Sequence, residues 1–315
     1  MIKREEKKFK SSSGLCNIHV VLWHPDKEQF DKPVGIVQIA HGMVDHIERF
    51  EEMAEYFALK GFIVAGSDHL GHGDSVVCKD DWGYFAEGNN SGDYLIKDLH
   101  RLTTIMKAQY PELPYILIGH SMGSFICRKY ATVYGEDLDG VIFLGTGNQS
   151  RIKVESGKIL AMIIRQFKGE RYRSVILDKL TFGMYNKRIS GKRTDKDWLT
   201  KDETIVNKYI SDEKCSYIFT TNAYIALMNI IKYDINEKNI KKTPKELPVL
   251  FAAGKEDPVG NYGKDVEKVY RIYKKNLNDV KLKLYENNRH ELHSETNRDE
   301  VFNDLYDWIT RVISE

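Results

Sequence analysis

Apolar and polar positions follow two rhythms along the chain. Short apolar runs bounded by glycine, proline or charged residues read as strands at Val34–Ala40, Phe62–Ala65, Tyr115–Ile118, Val141–Leu144, Pro248–Ala253 and Val280–Tyr285. Between them, apolar residues recur at helical spacing. Ile47, Phe50, Met53, Phe57 and Ala58 mark one helical stretch that Gly61 closes. Leu95, Leu99, Leu102, Ile105 and Met106 share a face of a helix over Asp93–Gln109. Further helices are predicted at Ser124–Tyr134, Lys264–Lys275 and Glu300–Ser314. Strands alternating with helices predict an α/β fold, a mostly parallel sheet covered on both faces.

The alternation breaks once. From about 149 to 242 the patterns are helical, with no convincing strand run. This divides the chain into a first core part (1–148), a helical insertion (149–242) and a second core part (243–315). The insertion opens with a basic stretch: residues 151–200 hold 13 Lys/Arg against 5 Asp/Glu, a local charge of +8. Within it, Ile159, Leu160, Ile163, Ile164 and Phe167 form a helical face with basic ends. Two readings fit: a lid helix that lines an acyl pocket or touches an anionic lipid surface, or an ordinary helix packed on the core with a solvated basic face.

Composition narrows the function classes. The 315 residues are 42% hydrophobic and 30% charged, enough for a sizeable core and incompatible with a wholly disordered chain. A net charge of +1 gives no electrostatic argument for nucleic acid, and the one basic stretch lacks interleaved stacking residues. The N-terminal MIKREEKKFK has no apolar stretch of a secretory signal, and no run approaches a bilayer span. Cys16, Cys78, Cys127 and Cys215 lie far apart, without zinc-like spacing. A reduced, cytoplasmic chain is therefore the expectation. Nothing in the sequence sets an oligomeric state.

The sharpest chemical feature is Gly119-His-Ser-Met-Gly123, placed directly after a predicted strand and before a predicted helix. In that setting G-x-S-x-G is a nucleophile elbow, whose glycines let a strained serine, here Ser121, stand clear of its neighbours. A serine hydroxyl needs a general base, itself oriented by a carboxylate. In this arrangement the chain order is Ser, then Asp or Glu, then His. Asp257 follows the strand ending at Ala253, and His290 follows the strand ending at Tyr285. Catalytic groups of open α/β sheets gather at strand carboxyl ends, so the three residues are predicted to converge. Glu256 competes with Asp257, although the Asp-Pro-Val turn favours the latter. His293 competes with His290, but reads as part of the first turn of the last helix. For the oxyanion hole, the N–H of Met122, next after the nucleophile, is one candidate donor. The N–H of Met43, in the loop after the strand Val34–Ala40, is the other.

Taken together, HGMVDHIERF (41–50), SDHLGHGDS (67–75), GHSMGS (119–124), GKEDPV (254–259) and HELHSE (290–295) resemble the monoacylglycerol lipase/lysophospholipase group of α/β-hydrolases, which is filed with serine aminopeptidase-like hydrolases. The resemblance spans essentially the whole chain. It implies an eight-stranded core with a helical cap inserted after the sixth strand. It implies Ser121 as nucleophile, Asp257 as acid, His290 as base and Met43 and Met122 as oxyanion donors, with no metal and no organic cofactor. It also implies a small-molecule acyl ester as substrate, a monoacylglycerol, lysophospholipid or similar medium- to long-chain ester. Rivals are a small-ester carboxylesterase, a prolyl-type aminopeptidase and a non-enzymatic ligand receptor on a hydrolase fold. One departure is Ser124, where the group commonly has a second glycine.

Overall fold

A computed structural model of the chain describes residues 1–314. Eight strands form one sheet: β1 (Lys3–Lys10), β2 (Asn17–His24), β3 (Gly35–Ala40), β4 (Phe62–Ser67), β5 (Tyr115–His120), β6 (Gly140–Leu144), β7 (Val249–Gly254) and β8 (Val280–Tyr285). Their spatial order is β1-β2-β4-β3-β5-β6-β7-β8. β2 lies antiparallel to β1 and β4, and every other pairing is parallel.

The apolar runs are continuous because each central strand is buried on both faces. In β5, Tyr115 and Leu117 enter one core while Ile116 and Ile118 enter the other. The same alternation holds in β6, with Val141 and Phe143 opposed to Ile142 and Leu144. Helices α1 (Glu51–Leu59) and α10 (Arg298–Ser314) cover the second face. Helices α2 (Gly92–Gln109), α3 (Met122–Tyr134) and α9 (Lys264–Lys274) cover the first.

β1 and β2 lie outside the strands read from the sequence. β1 is charged at nearly every position and has no buried residue along its length, so it shows no period-two apolar pattern. It is recruited by a full antiparallel register from Lys3↔His24 to Lys10↔Asn17. A lysine-rich edge strand also blocks further pairing with other chains.

Between β6 and β7 there is no strand among the described residues, only a bridge pair Arg173↔Thr220. The segment holds α4 (Arg151–Lys168), α5 (Val175–Phe182), α6 (Glu203–Ser211), α7 (Thr221–Asp234) and α8 (Glu237–Ile240). α7 is the anchor: Ala223, Ile225, Ala226 and Ile230 are buried in the core beside α2 and α3. The stripe expected along α4 splits in two. Leu160 and Ile164 pack inward, whereas Ile159, Ile163 and Phe167 face out.

The loops at the strand carboxyl ends are tied together by Asp68. Its buried carboxylate accepts from His19 Nδ1 (2.9 Å) and from the backbone N–H of Ile47 and Asp74, both at 2.8 Å. It thus joins β2, the loop after β3 and the loop after β4. Replacing Asp68 by Asn leaves a buried histidine and an amide donor mismatched, which typically costs about 2 kcal/mol or more. Urea unfolding of D68N should show that loss; an unchanged midpoint would remove Asp68 as the tie.

Candidate active site

The elbow forms because two glycines allow an otherwise impossible approach. A Cβ on Gly123 would lie 2.1 Å from the Ala40 carbonyl oxygen, and one on Gly119 would lie 2.5 Å from that of Gly123. With both side chains absent, α3 starts hard against the ends of β3 and β5. Ser121 between them is forced to φ 52°, ψ −118°, a left-handed backbone that serine adopts only under constraint.

His290 and Asp257 reach the same place from the loops after β8 and β7. His290 Nδ1 stands 3.0 Å from Asp257 Oδ2, and neither atom has another partner among the described residues. Asp257 Oδ1 accepts the Val259 N–H at 2.8 Å, which fixes the carboxylate within its Asp-Pro-Val turn. Both side chains are buried. With Nδ1 on the carboxylate, Nε2 is the imidazole nitrogen left for a substrate-side proton. Ser121 and His290 line one pocket with Gly42 and Met43. Gly145, at φ 56°, leaves room for the imidazole, since a Cβ there would lie 3.1 Å from His290 Cε1.

The competitors fall away. Glu256 points outward, ion-paired to Lys201 Nζ at 2.7 Å. His293 is not in the last helix. It sits in a 3-10 turn, Leu292–Ser294, before α10 begins at Arg298, and its ring stacks on Phe50 at 4.0 Å.

Each candidate oxyanion amide belongs to a peptide whose carbonyl is held on the far side. His41 Nε2 accepts the His69 N–H at 2.9 Å, so its Nδ1 carries the hydrogen and donates to Gly42 O at 2.8 Å. In a trans peptide C=O and N–H point in opposite directions, so anchoring Gly42 O aims the Met43 N–H. Likewise Ser121 O accepts the Ser124 N–H (2.9 Å) and the Ser124 hydroxyl (2.6 Å), which aims the Met122 N–H at the start of α3. Ser124, the departure from the usual second glycine, thus supplies an extra anchor. The sequence alone does not reveal this part for His41, because its tautomer becomes evident only through His69.

The insertion roofs this pocket with Phe182, Trp198, Leu199, Tyr209 and Tyr217, and adds the charged Asp178 and Lys196. The sequence does not mark any of these as pocket-lining. The Trp198 ring lies 5.1 Å from that of His290. Tyr209 donates to Val44 O (3.0 Å), holding a valine at φ 53° next to Met43. Beneath it, Arg49 donates to both Glu291 oxygens at 2.9 and 2.7 Å and to Asp45 at 2.9 Å. Burial alone would raise the Asp45 carboxyl, but the adjacent Arg49 charge holds it far below its ordinary value. Two clusters have metal-ligand residue types, His46/Asp212/Cys215 and His19/Asp68/Asp74. In each, histidine and aspartate already bond to one another, at 2.8 and 2.9 Å, and none of Ser121, Asp257 or His290 takes part.

Comparison with known proteins gives the family and the fold. The family model described as "Serine aminopeptidase, S33" matches residues 31–297. The chain belongs to this family. Curated relatives include a monoacylglycerol lipase of Mycolicibacterium smegmatis, 25% identical over 304 residues and 95% of both chains. A monoglyceride lipase of Rattus norvegicus is 24% identical over 90% of this chain and 84% of its own. Among solved structures, a thermostable carboxyl esterase from Bacillus coagulans, in complex with glycerol, superposes with TM-score 0.89 at 30% identity, covering 99% of this chain and all of its own. The fold extends to a Saccharomyces cerevisiae monoglyceride lipase (TM-score 0.76, 21% identity, 98% and 94% coverage). The protein is accordingly a serine ester hydrolase on an α/β-hydrolase fold, as the resemblance implied.

Buried imidazoles crowd the site. Burial lowers the pKa of His41, His69 and His120, and takes His72 to about 3 and His293 to about 4. Their folded values lie below the unfolded value near 6.5. The unfolded chain therefore binds more protons once pH drops below that value, and stability falls toward pH 4. For His293 alone the loss approaches about 3 kcal/mol. Urea unfolding at pH 7, 6 and 5 should show a falling midpoint, with a shallower fall in H293F; a flat profile would contradict it.

Proposed function

We propose that the protein cleaves monoacylglycerol-type carboxylic esters through an acyl-enzyme on Ser121. The observation that carries this reading is the His290–Asp257 contact of 3.0 Å in a pocket shared with the elbow serine. His290 Nε2 takes the Ser121 proton as Oγ attacks the ester carbonyl, and Asp257 stabilises the imidazolium. The Met43 and Met122 amides receive the tetrahedral oxygen. His290 then returns the proton to the leaving alcohol, and water cleaves the acyl-enzyme by the same route. Relatives and structural neighbours named as monoacylglycerol lipases and a carboxyl esterase support the substrate class. Residues 149–242 act in this reading as a cap, since their side chains roof the pocket. Four unpaired cysteines fit a reducing compartment.

Hydrolysis of p-nitrophenyl esters from acetate to palmitate, alongside a monoacylglycerol, tests the reading. Medium or long chains should be preferred, with glycerol released. S121A should lose roughly 10,000-fold or more of kcat. Wild-type activity on prolyl arylamides but on no ester would assign a peptidase instead, and a fully active S121A would remove the mechanism.

The outer face of the cap supports a second expectation, contact with anionic lipid. Ile152 and Phe167 are 82% and 80% exposed on α4, where Ile159 and Ile163 are exposed too, and α5 exposes Val175, Ile176 and Leu180. The same two helices carry Arg151, Lys158 and Lys168 (α4) and Lys179 (α5). No described helix is long and apolar enough to cross a membrane, so contact would be at the interface. Co-sedimentation with phosphatidylglycerol vesicles should weaken as salt rises and fall about tenfold in F167E. Equal binding by wild type and F167E would reject this face as the contact.

A further inference from the structure

The ester-hydrolase reading leaves the two charged cap residues in the pocket, Lys196 and Asp178, without a role. Most pocket charges are already satisfied. Glu291 spends both carboxylate oxygens on Arg49, and Asp45 spends its own on Arg49 and on the N–H groups of His46 and Gly42. Asp178 accepts from Tyr224 Oη at 3.3 Å. Lys196 differs. Its half-buried side chain leads into the pocket, yet no carboxylate lies within 4.0 Å of Nζ among the described residues. Its neighbours are the faces of Phe182 and Tyr209, with ring centroids 5.4 and 5.7 Å from Nζ.

Lys196 also lines the same pocket as Ser121 and His290. The Leu199 N–H donates to Lys196 O at 3.0 Å, and this turn carries Trp198. The Trp198 ring lies 5.1 Å from His290 and 5.9 Å from Phe182. The ammonium therefore borders the space beside Ser121 and His290. An alkyl chain laid along Lys196 and Asp178 would strip both charges of water without compensation. That side of the pocket suits the polar alcohol portion of the ester. Two flanking rings give the cation some attraction but no ionic partner. Burial pulls the pKa of Lys196 down against the opposing field of Asp178, so an incoming anion would stabilise the charged form.

We propose that Lys196 is the specificity residue for an anionic alcohol group, so that the preferred substrates are monoacyl esters whose glycerol carries a phosphate. This deepens the proposed ester hydrolysis and rests on it.

The test is the ratio of kcat/KM for two esters sharing one acyl chain, decanoyl glycerol phosphate over decanoyl glycerol, with p-nitrophenyl decanoate run in parallel. Wild type should favour the phosphate ester. K196M should lower the ratio about tenfold or more, the size expected for a lost charge-assisted hydrogen bond, and K196R should keep most of it. A wild-type preference for the neutral ester, or an unchanged ratio in K196M, overturns the proposal. An equal fall on both esters gives Lys196 only a part in holding the cap with Asp178, and overturns it too. In these cases continued turnover of p-nitrophenyl decanoate leaves ester hydrolysis standing; no turnover of any ester by wild type overturns both. Should K196M fail to fold, inhibition of wild type decides. Decyl phosphate should inhibit about tenfold more tightly than decyl glycerol ether, and equal inhibition would contradict the assignment.

Discussion

The close approach of α3 to the end of β3 is the constraint on which the site depends. With only 2.1 Å between a would-be Cβ of Gly123 and Ala40 O, no side chain fits there. The approach fixes Ser121 in a left-handed backbone, and the first amides of α3, at a helix start, have no acceptor within the helix. It also brings Gly42 beside the nucleophile, where a Cβ would stand 3.3 Å from that of Ser121. Strain of this kind persists only where surrounding contacts determine it fully. Here they include the Ser121 N–H on Leu144 O (3.0 Å) and the Ser124 N–H and hydroxyl on Ser121 O.

Around that fixed point, the geometry is a matter of aiming groups by holding what lies behind them. The two candidate oxyanion peptides are held by their carbonyls, through His41 on one side and Ser124 on the other. Asp257 holds Nδ1 of His290 and so presents Nε2. The insertion takes part through Tyr209 on Val44 O and His46 on Asp212, which link it to the loop carrying Met43. The polar groups behind the site are almost all buried, where water does not compete for them and each bond is correspondingly directional.

Local patterns made most of the core legible. Strands buried on both faces leave continuous apolar runs, and the elbow advertises itself through two glycines at fixed spacing. Chain order narrowed the candidates for the acid and the base to the Asp-Pro-Val turn and the histidines after β8. β1 was not, since an exposed edge strand is specified by its partner rather than by its own alternation. His293 was misplaced because Glu295 caps backbone groups of Arg289 and Lys201 there, interrupting what resembled a helix start. The cap lining escaped altogether: Trp198, Tyr209 and Lys196 meet the site only through tertiary packing. The role of His41 was hidden for a related reason, because its tautomer depends on an amide 28 residues away.

The central claim is that Ser121 is a nucleophile activated by His290 and Asp257. Its most direct test is intact-mass and peptide analysis after reaction with a fluorophosphonate, which modifies a serine only where a base and an oxyanion hole already work upon it. The account predicts one adduct per chain, located on Ser121 and absent from the H290A variant. A folded wild-type protein left unmodified, or an adduct on another residue, would contradict it.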